Sequence, residues 1–243
     1  MNRRAQAVLM LLLGGAIVRV TLADLHLRYV KASLGPFLLI AGGLLIAAGV
    51  MTLIYELRSD TVEAVPECAD HTDDHGGHRE PRVGWLLLLP VLGLLLVAPP
   101  ALGSYAAGNA GSALGAGRQS DFPPLPAGDP AEIGLADYAA RAVFDKGVSL
   151  SGRQVKLTGF LSGSTDGGQY ITRMVLSCCA ADARPIKISM SGDGPVGLRN
   201  DEWITLVGSY TSQVGSDPVN QATIPYIQVK SWEKTTEPKQ PYE

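Results

Sequence analysis

The sequence predicts a membrane α-helical N-terminal part with three transmembrane helices, joined to an all-β C-terminal domain. Three observations carry this reading. Apolar residues crowd into three runs before residue 103, while the remainder has the mixed composition of an ordinary water-exposed chain. Beyond about residue 150 the apolar period changes from helical to two. Between the halves, residues 103–134 are rich in Gly, Ala, Ser and Pro with few large apolar side chains, the composition of a flexible linker.

The first run, 5–23, is apolar except for Gln6, Arg19 and Thr21. Its uninterrupted core, 7–18, has the length of a signal-peptide core, but Arg19 follows directly and no clean small-x-small site surrounds Ala23, which favours an uncleaved span. The second run, 36–55, carries no charge over the roughly 20 residues a helix needs to cross a bilayer. Gly42, Gly43, Ala47, Ala48 and Gly49 set small residues at four-residue spacing along it, a face suited to close helix contact. The third run, 83–102, has Trp85 at its entrance and Pro99-Pro100 near its exit. Trp85 suits the membrane interface, and the proline pair ends a helix because neither ring nitrogen can donate the intrahelical bond.

Orientation follows from cationic residues at the span ends. Arg3 and Arg4 precede the first span and Arg58, Arg79 and Arg82 lie between the second and third, against Arg28 and Lys31 on the other side. The excess predicts a plasma-membrane protein with a cytoplasmic N-terminus and, after three crossings, an extracytoplasmic C-terminal domain.

The loop 56–82 concentrates Cys68, His71, Asp74, His75 and His78 in eleven residues. Imidazole, thiolate and carboxylate are the usual ligands of zinc and related ions, so the tract reads as a secondary metal-binding loop or as a solvated acidic one. On the predicted topology it is cytoplasmic.

In the second half, Asp129-Pro-Ala-Glu132 reads as a helix start, or Gly134 delays the start slightly, and 135–144 places Leu135, Tyr138, Ala139 and Ala142 on one helical face. Strand candidates follow at 154–161, 169–177, 185–191, 202–212 and 224–232, separated by Gly, Asp, Ser and Pro clusters. Five short strands in about 90 residues predict a small barrel of the oligonucleotide/oligosaccharide-binding (OB-like) type over 135–243. Gly159 and Gly208 lie inside strand patterns as candidate bulges, and Trp203 and Trp232 are assigned to packing.

The chemistry centres on Arg173-Met-Val-Leu-Ser-Cys-Cys-Ala-Ala-Asp-Ala183, where a strand runs into a turn before Pro185. In a regular strand Cys178 and Cys179 would point to opposite faces. A bend at Ala180-Ala181-Asp182 would instead gather two soft ligands and one hard one, a set suited to zinc or another soft metal. Packing and a vicinal disulfide are the alternatives for adjacent cysteines.

Other function classes find no support. Lys/Arg and Asp/Glu are balanced from residue 136 onward, without the basic stripe that nucleic-acid binding needs. The C-terminal module holds no histidine, so no Cys-His pair forms there, and no phosphate loop or zinc-protease motif occurs. No enzyme activity is expected.

The Arg173–Ala183 string resembles the signature of the YcgQ family of bacterial permease subunits. Gly159-Phe160, Trp203 with Gly208, and the closing Pro238-Lys-Gln-Pro-Tyr-Glu243 agree with it. The resemblance implies an accessory membrane subunit beside a separate multi-span permease, handling a divalent metal, with Cys178, Cys179 and Asp182 as the functional group. A thiol-redox module outside the cell, or a purely structural docking domain, are the alternative expectations.

Overall fold

The structure is a computed structural model, and it describes residues 3–59, 93, 101–115, 121–150, 152–163 and 167–243. The His/Asp-rich loop with Cys68, His71, Asp74, His75 and His78, and nearly all of the expected third span, lie outside the described residues. The chain divides into two compact units, Met1–His26 with Ser33–Pro100, and Leu27–Ala32 with Ala101–Glu243.

In the first unit, helices α1 (Arg3–Leu22) and α2 (Gly35–Ser59) are both long and apolar enough to cross a membrane. They pack through short side chains at every seventh position. Ala7, Gly14 and Thr21 on α1 and Gly35, Gly42 and Gly49 on α2 are all buried. A Cβ on Gly14 would lie 2.8 Å from the Gly42 carbonyl oxygen, and one on Gly49 would lie 3.1 Å from that of Ala7, so the backbones meet where no larger residue fits. The four-residue face expected on α2 is therefore corrected: Gly43 has nothing within 4 Å, and Ala47 and Ala48 are exposed. Large apolar side chains point outward instead, among them Leu12, Phe37, Ile40, Leu44 and Met51.

The second unit is built on a closed five-stranded barrel. Strands β2 (Gln154–Gly163), β3 (Gln169–Val175), β4 (Arg184–Gly192), β5 (Trp203–Ser216) and β6 (Thr223–Lys234) join in the order β2-β3-β4-β6-β5, and β5 returns to β2. All pairings are antiparallel except β4 with β6. The alternation that predicted the strands places Val155, Leu157, Ile171, Ile186, Ile188, Ile204, Leu206, Ile227 and Val229 in one core. Helix α4 (Leu135–Phe144) contributes Leu135, Tyr138, Ala139 and Ala142 to that core, and the Tyr138 hydroxyl donates to the Tyr226 carbonyl at 2.7 Å.

Several local expectations change. Ala131–Glu132 is a short strand, β1, parallel to β2, and not a helix start. Helix α4 opens at Leu135 without a side-chain cap from Gly134. The Glu243 carboxylate, far off in sequence, accepts from the Leu135 and Ala136 amides at 2.9 Å each and serves the same purpose. Gly208 does mark a register shift between β5 and β6. Gly159 does not; its pairing is regular, and it is required because a Cβ there would lie 2.7 Å from the Thr172 carbonyl oxygen. Trp203 packs edge-on to Phe160 with centroids 5.6 Å apart, beneath the Arg173 guanidinium, whereas Trp232 is exposed.

Within the stretch read as a flexible linker, residues 101–115 are held against the barrel. They form helix α3 (Ser104–Asn109) and a turn at Ala113–Gly115. Ser104 donates its hydroxyl to Asp201 at 2.7 Å, and the Ser112 amide donates to Asp217 at 3.0 Å. Lys187, 3% exposed, donates to the Ala110 carbonyl at 3.0 Å and pairs at 2.9 Å with Asp217, 0% exposed. Small-residue composition let the segment lie close to the barrel; it did not leave it loose.

Candidate metal centre

Strand β3 stops at Val175, and the chain then turns through Ser177-Cys178-Cys179 into a single helical turn at Ala180–Asp182. Asp182 holds the turn closed. Its Oδ1 accepts from the Ser177 amide at 2.8 Å, and its Oδ2 accepts from the amides of Cys178 at 2.8 Å and Cys179 at 3.3 Å. In return the Asp182 amide donates to the Cys179 side chain, so the two residues form a reciprocal cap. The bend expected at 180–182 is present, and it removes the strand geometry that would have sent the two thiols to opposite faces.

The sulfurs of Cys178 and Cys179 are 3.6 Å apart, and both cysteines are free. Cys178 is exposed; Cys179 and Asp182 are partly exposed. One ligand atom from each of the three residues lies within 4.8 Å of the others, a group able to hold a metal ion. The expected secondary ligands of the 56–82 loop lie outside the described residues.

The electrostatics follow from the geometry. The Cys178 thiol is pushed up to about 12 by its hydrogen bond to the Asp182 carboxylate, with Cys179 adding to the effect. Asp182 is pulled down to about 2, first by that thiol and then by the Ser177 and Cys178 amides. At neutral pH the group is thus a carboxylate beside a protonated thiol. A cation placed among them reverses the balance, because it favours the thiolate that Asp182 disfavours.

One contributor carries no signal in residue type. The segment Leu27–Ala32 belongs to this unit and lines up beside the turn: the Lys31 amide donates to the Cys178 carbonyl at 3.0 Å, and the Ala180 amide donates to the Tyr29 carbonyl at 2.7 Å. Val30 and Cys179 form an antiparallel bridge. The chain's closing residues brace the other side. The Leu176 amide donates to the Glu243 carbonyl and the Glu243 amide donates to the Met174 carbonyl, and the Tyr242 hydroxyl accepts from the Leu102 amide and donates to the Arg28 carbonyl. Arg173 donates to the Thr158, Gln240 and Pro241 carbonyls, which makes it a clamp for that closing segment.

Residues 142–243 match the DUF1980 C-terminal domain family, a stretch that covers the barrel and the whole Cys-Cys-Asp turn. Neither the curated proteins nor the solved structures include a match to this chain.

Proposed function

We propose that this chain is an accessory membrane subunit of a bacterial permease, and that its barrel captures or senses a soft divalent ion such as zinc at the group formed by Cys178, Cys179 and Asp182. The observation that carries the reading is the convergence of two free sulfurs and one carboxylate at an exposed turn. The permease partner rests on the resemblance of the Arg173–Ala183 string alone. Two helices able to cross a membrane, whose outward faces are apolar, support a bilayer location.

Backbone pairing also supports the predicted side. Residues 29–31 connect α1 to α2 in the chain and pair with 178–180. If both helices span, the thiol turn shares a compartment with that connection, which is outside for a cytoplasmic N-terminus.

The thiol-redox alternative is weaker on this geometry. Attack on a disulfide needs a thiolate, and the hydrogen bond to Asp182 disfavours that form of Cys178.

The test uses the full chain in detergent, with Cys68→Ser, His71→Ala, His75→Ala and His78→Ala removing the loop ligands. One zinc per chain should bind in competition with a chromophoric chelator, and adding Cys178→Ser/Cys179→Ser should abolish it. Equal binding by both proteins would end the proposal.

A further inference from the structure

Resting on the ion-binding reading above, we infer that Cys178 and Cys179 form a two-thiolate chelate whose remaining coordination positions stay open. Asp182 is then a positioning residue that shapes the turn, and the bound ion is exchangeable, completed by a donor from outside this unit.

The first argument is the bite. At a metal–sulfur distance of about 2.3 Å, sulfurs 3.6 Å apart subtend an angle of about 103° at the ion. That is close to the tetrahedral value of roughly 109°, so one ion fits the pair as it stands. A linear two-coordinate arrangement would need the sulfurs about 4.6 Å apart and would have to pry the turn open.

The second argument is an inventory of lone pairs. An ionised carboxylate offers about four acceptor positions. The Ser177, Cys178 and Cys179 amides occupy three at Asp182. Pulling Asp182 toward the metal would strain the three amide hydrogen bonds that hold the turn and its two sulfurs in place. Among the described residues the group contains no fourth ligand. A structural zinc site closes its shell with four protein ligands, and this one supplies two sulfurs. Cys178 is exposed, so the open positions face solvent.

Binding therefore displaces the two thiol protons, forms two metal–sulfur bonds and leaves room for two donors of another molecule. A site of this kind releases its ion by ligand substitution: an incoming donor takes an open position first, and the sulfurs are reprotonated as their bonds to the metal break.

Cobalt(II) makes this measurable, since its thiolate charge-transfer absorption reports sulfur ligands and its d–d bands report the completed shell. The full chain lacking the loop ligands is loaded with cobalt(II) and titrated with imidazole. The d–d bands should shift as imidazole enters, while the charge-transfer absorption keeps its two-sulfur intensity. Asp182→Asn should retain that intensity and those bands, with cobalt affinity lowered about tenfold because the turn is less well held. d–d bands that do not respond to imidazole, or that change in Asp182→Asn, would overturn the open chelate while leaving ion binding intact. Absence of any charge-transfer absorption would instead remove the ion-binding reading, and this inference with it.

Discussion

Two aspartates of the second unit fasten turns in the same way and to opposite ends. Asp217 accepts from the Ser112 and Val219 amides, and Asp182 accepts from those of Ser177, Cys178 and Cys179. At Asp217 the charge is fully buried and met by the Lys187 ammonium at 2.9 Å. Burial alone would raise its pKa, but Lys187 and the two amides outweigh it, and the net direction is down. At Asp182 no ion pair stands among the described residues, and the neighbours are the exposed Cys178 and the partly exposed Cys179. A carboxylate that finishes its shell inside the protein becomes a lock, here fixing residues 101–115 to the barrel. One left beside protonated thiols instead governs where their protons sit.

The sharpest way to break this contrast is to remove the buried acid. Asp217→Ala leaves the Lys187 ammonium buried without a counter-charge and should cost about 3–5 kcal/mol, read as a lower thermal midpoint of the full chain. Asp217→Leu combined with Lys187→Met should recover a substantial part of that loss, because no buried charge remains, although the Ser112 and Val219 amides stay without their acceptor. A cost under about 1 kcal/mol for Asp217→Ala would mean the pair is not a lock.

How much of this was legible in the sequence divides along the same line. Period-two alternation in 154–161 or 224–232 marks a strand because burial selects residue type, and the five strands lie where that pattern puts them. Two helices long and apolar enough to cross a membrane were legible for the same reason, as uninterrupted apolar length. Cys178, Cys179 and Asp182 could be singled out by their types, and their convergence needed only a local bend. What composition did not reveal were contacts made by backbone atoms across long separations. Any residue can offer the amide of Lys31 or the carbonyl of Tyr29, so the strand-like brace beside the thiols left no trace in residue identity. The docking of 101–115 was hidden because Gly, Ala and Ser serve a close approach as well as a loose tether. The spacing of Gly42 and Gly49, seven apart, emerged only with α1 in place to show which glycines it meets.

The intermediate effect concerns reactivity. Asp182→Ala removes the group that keeps the Cys178 proton in place, so alkylation of Cys178 by iodoacetamide at pH 8 should accelerate by at least about tenfold, followed by peptide mass analysis. Its effect on the thermal midpoint should be far smaller than that of Asp217→Ala, since the freed amides lie where water can reach them. An unchanged alkylation rate would show that Asp182 does not control the thiol.

The smallest effect is a pH dependence, and its sign separates the two groups of the open turn. Asp182 is depressed from 3.8 to about 2, so its contribution to stability is present above pH 3.8 and is lost as pH falls through 2. Cys178 is raised from 9.0 to about 12, so its contribution is complete below pH 9 and fades as pH climbs toward 12. Urea midpoints of the native chain and of Cys178→Ser, measured at pH 7, 9 and 10.5, isolate the second term, because the tyrosines and lysines that also titrate there are common to both proteins. The native chain should lose slightly more stability than the variant between pH 9 and 10.5, and the two should run parallel between pH 7 and 9. A difference that opens already below pH 9 would mean the thiol ionises in its ordinary range, and the contrast between a closed aspartate and one that governs its neighbours' protons would not hold.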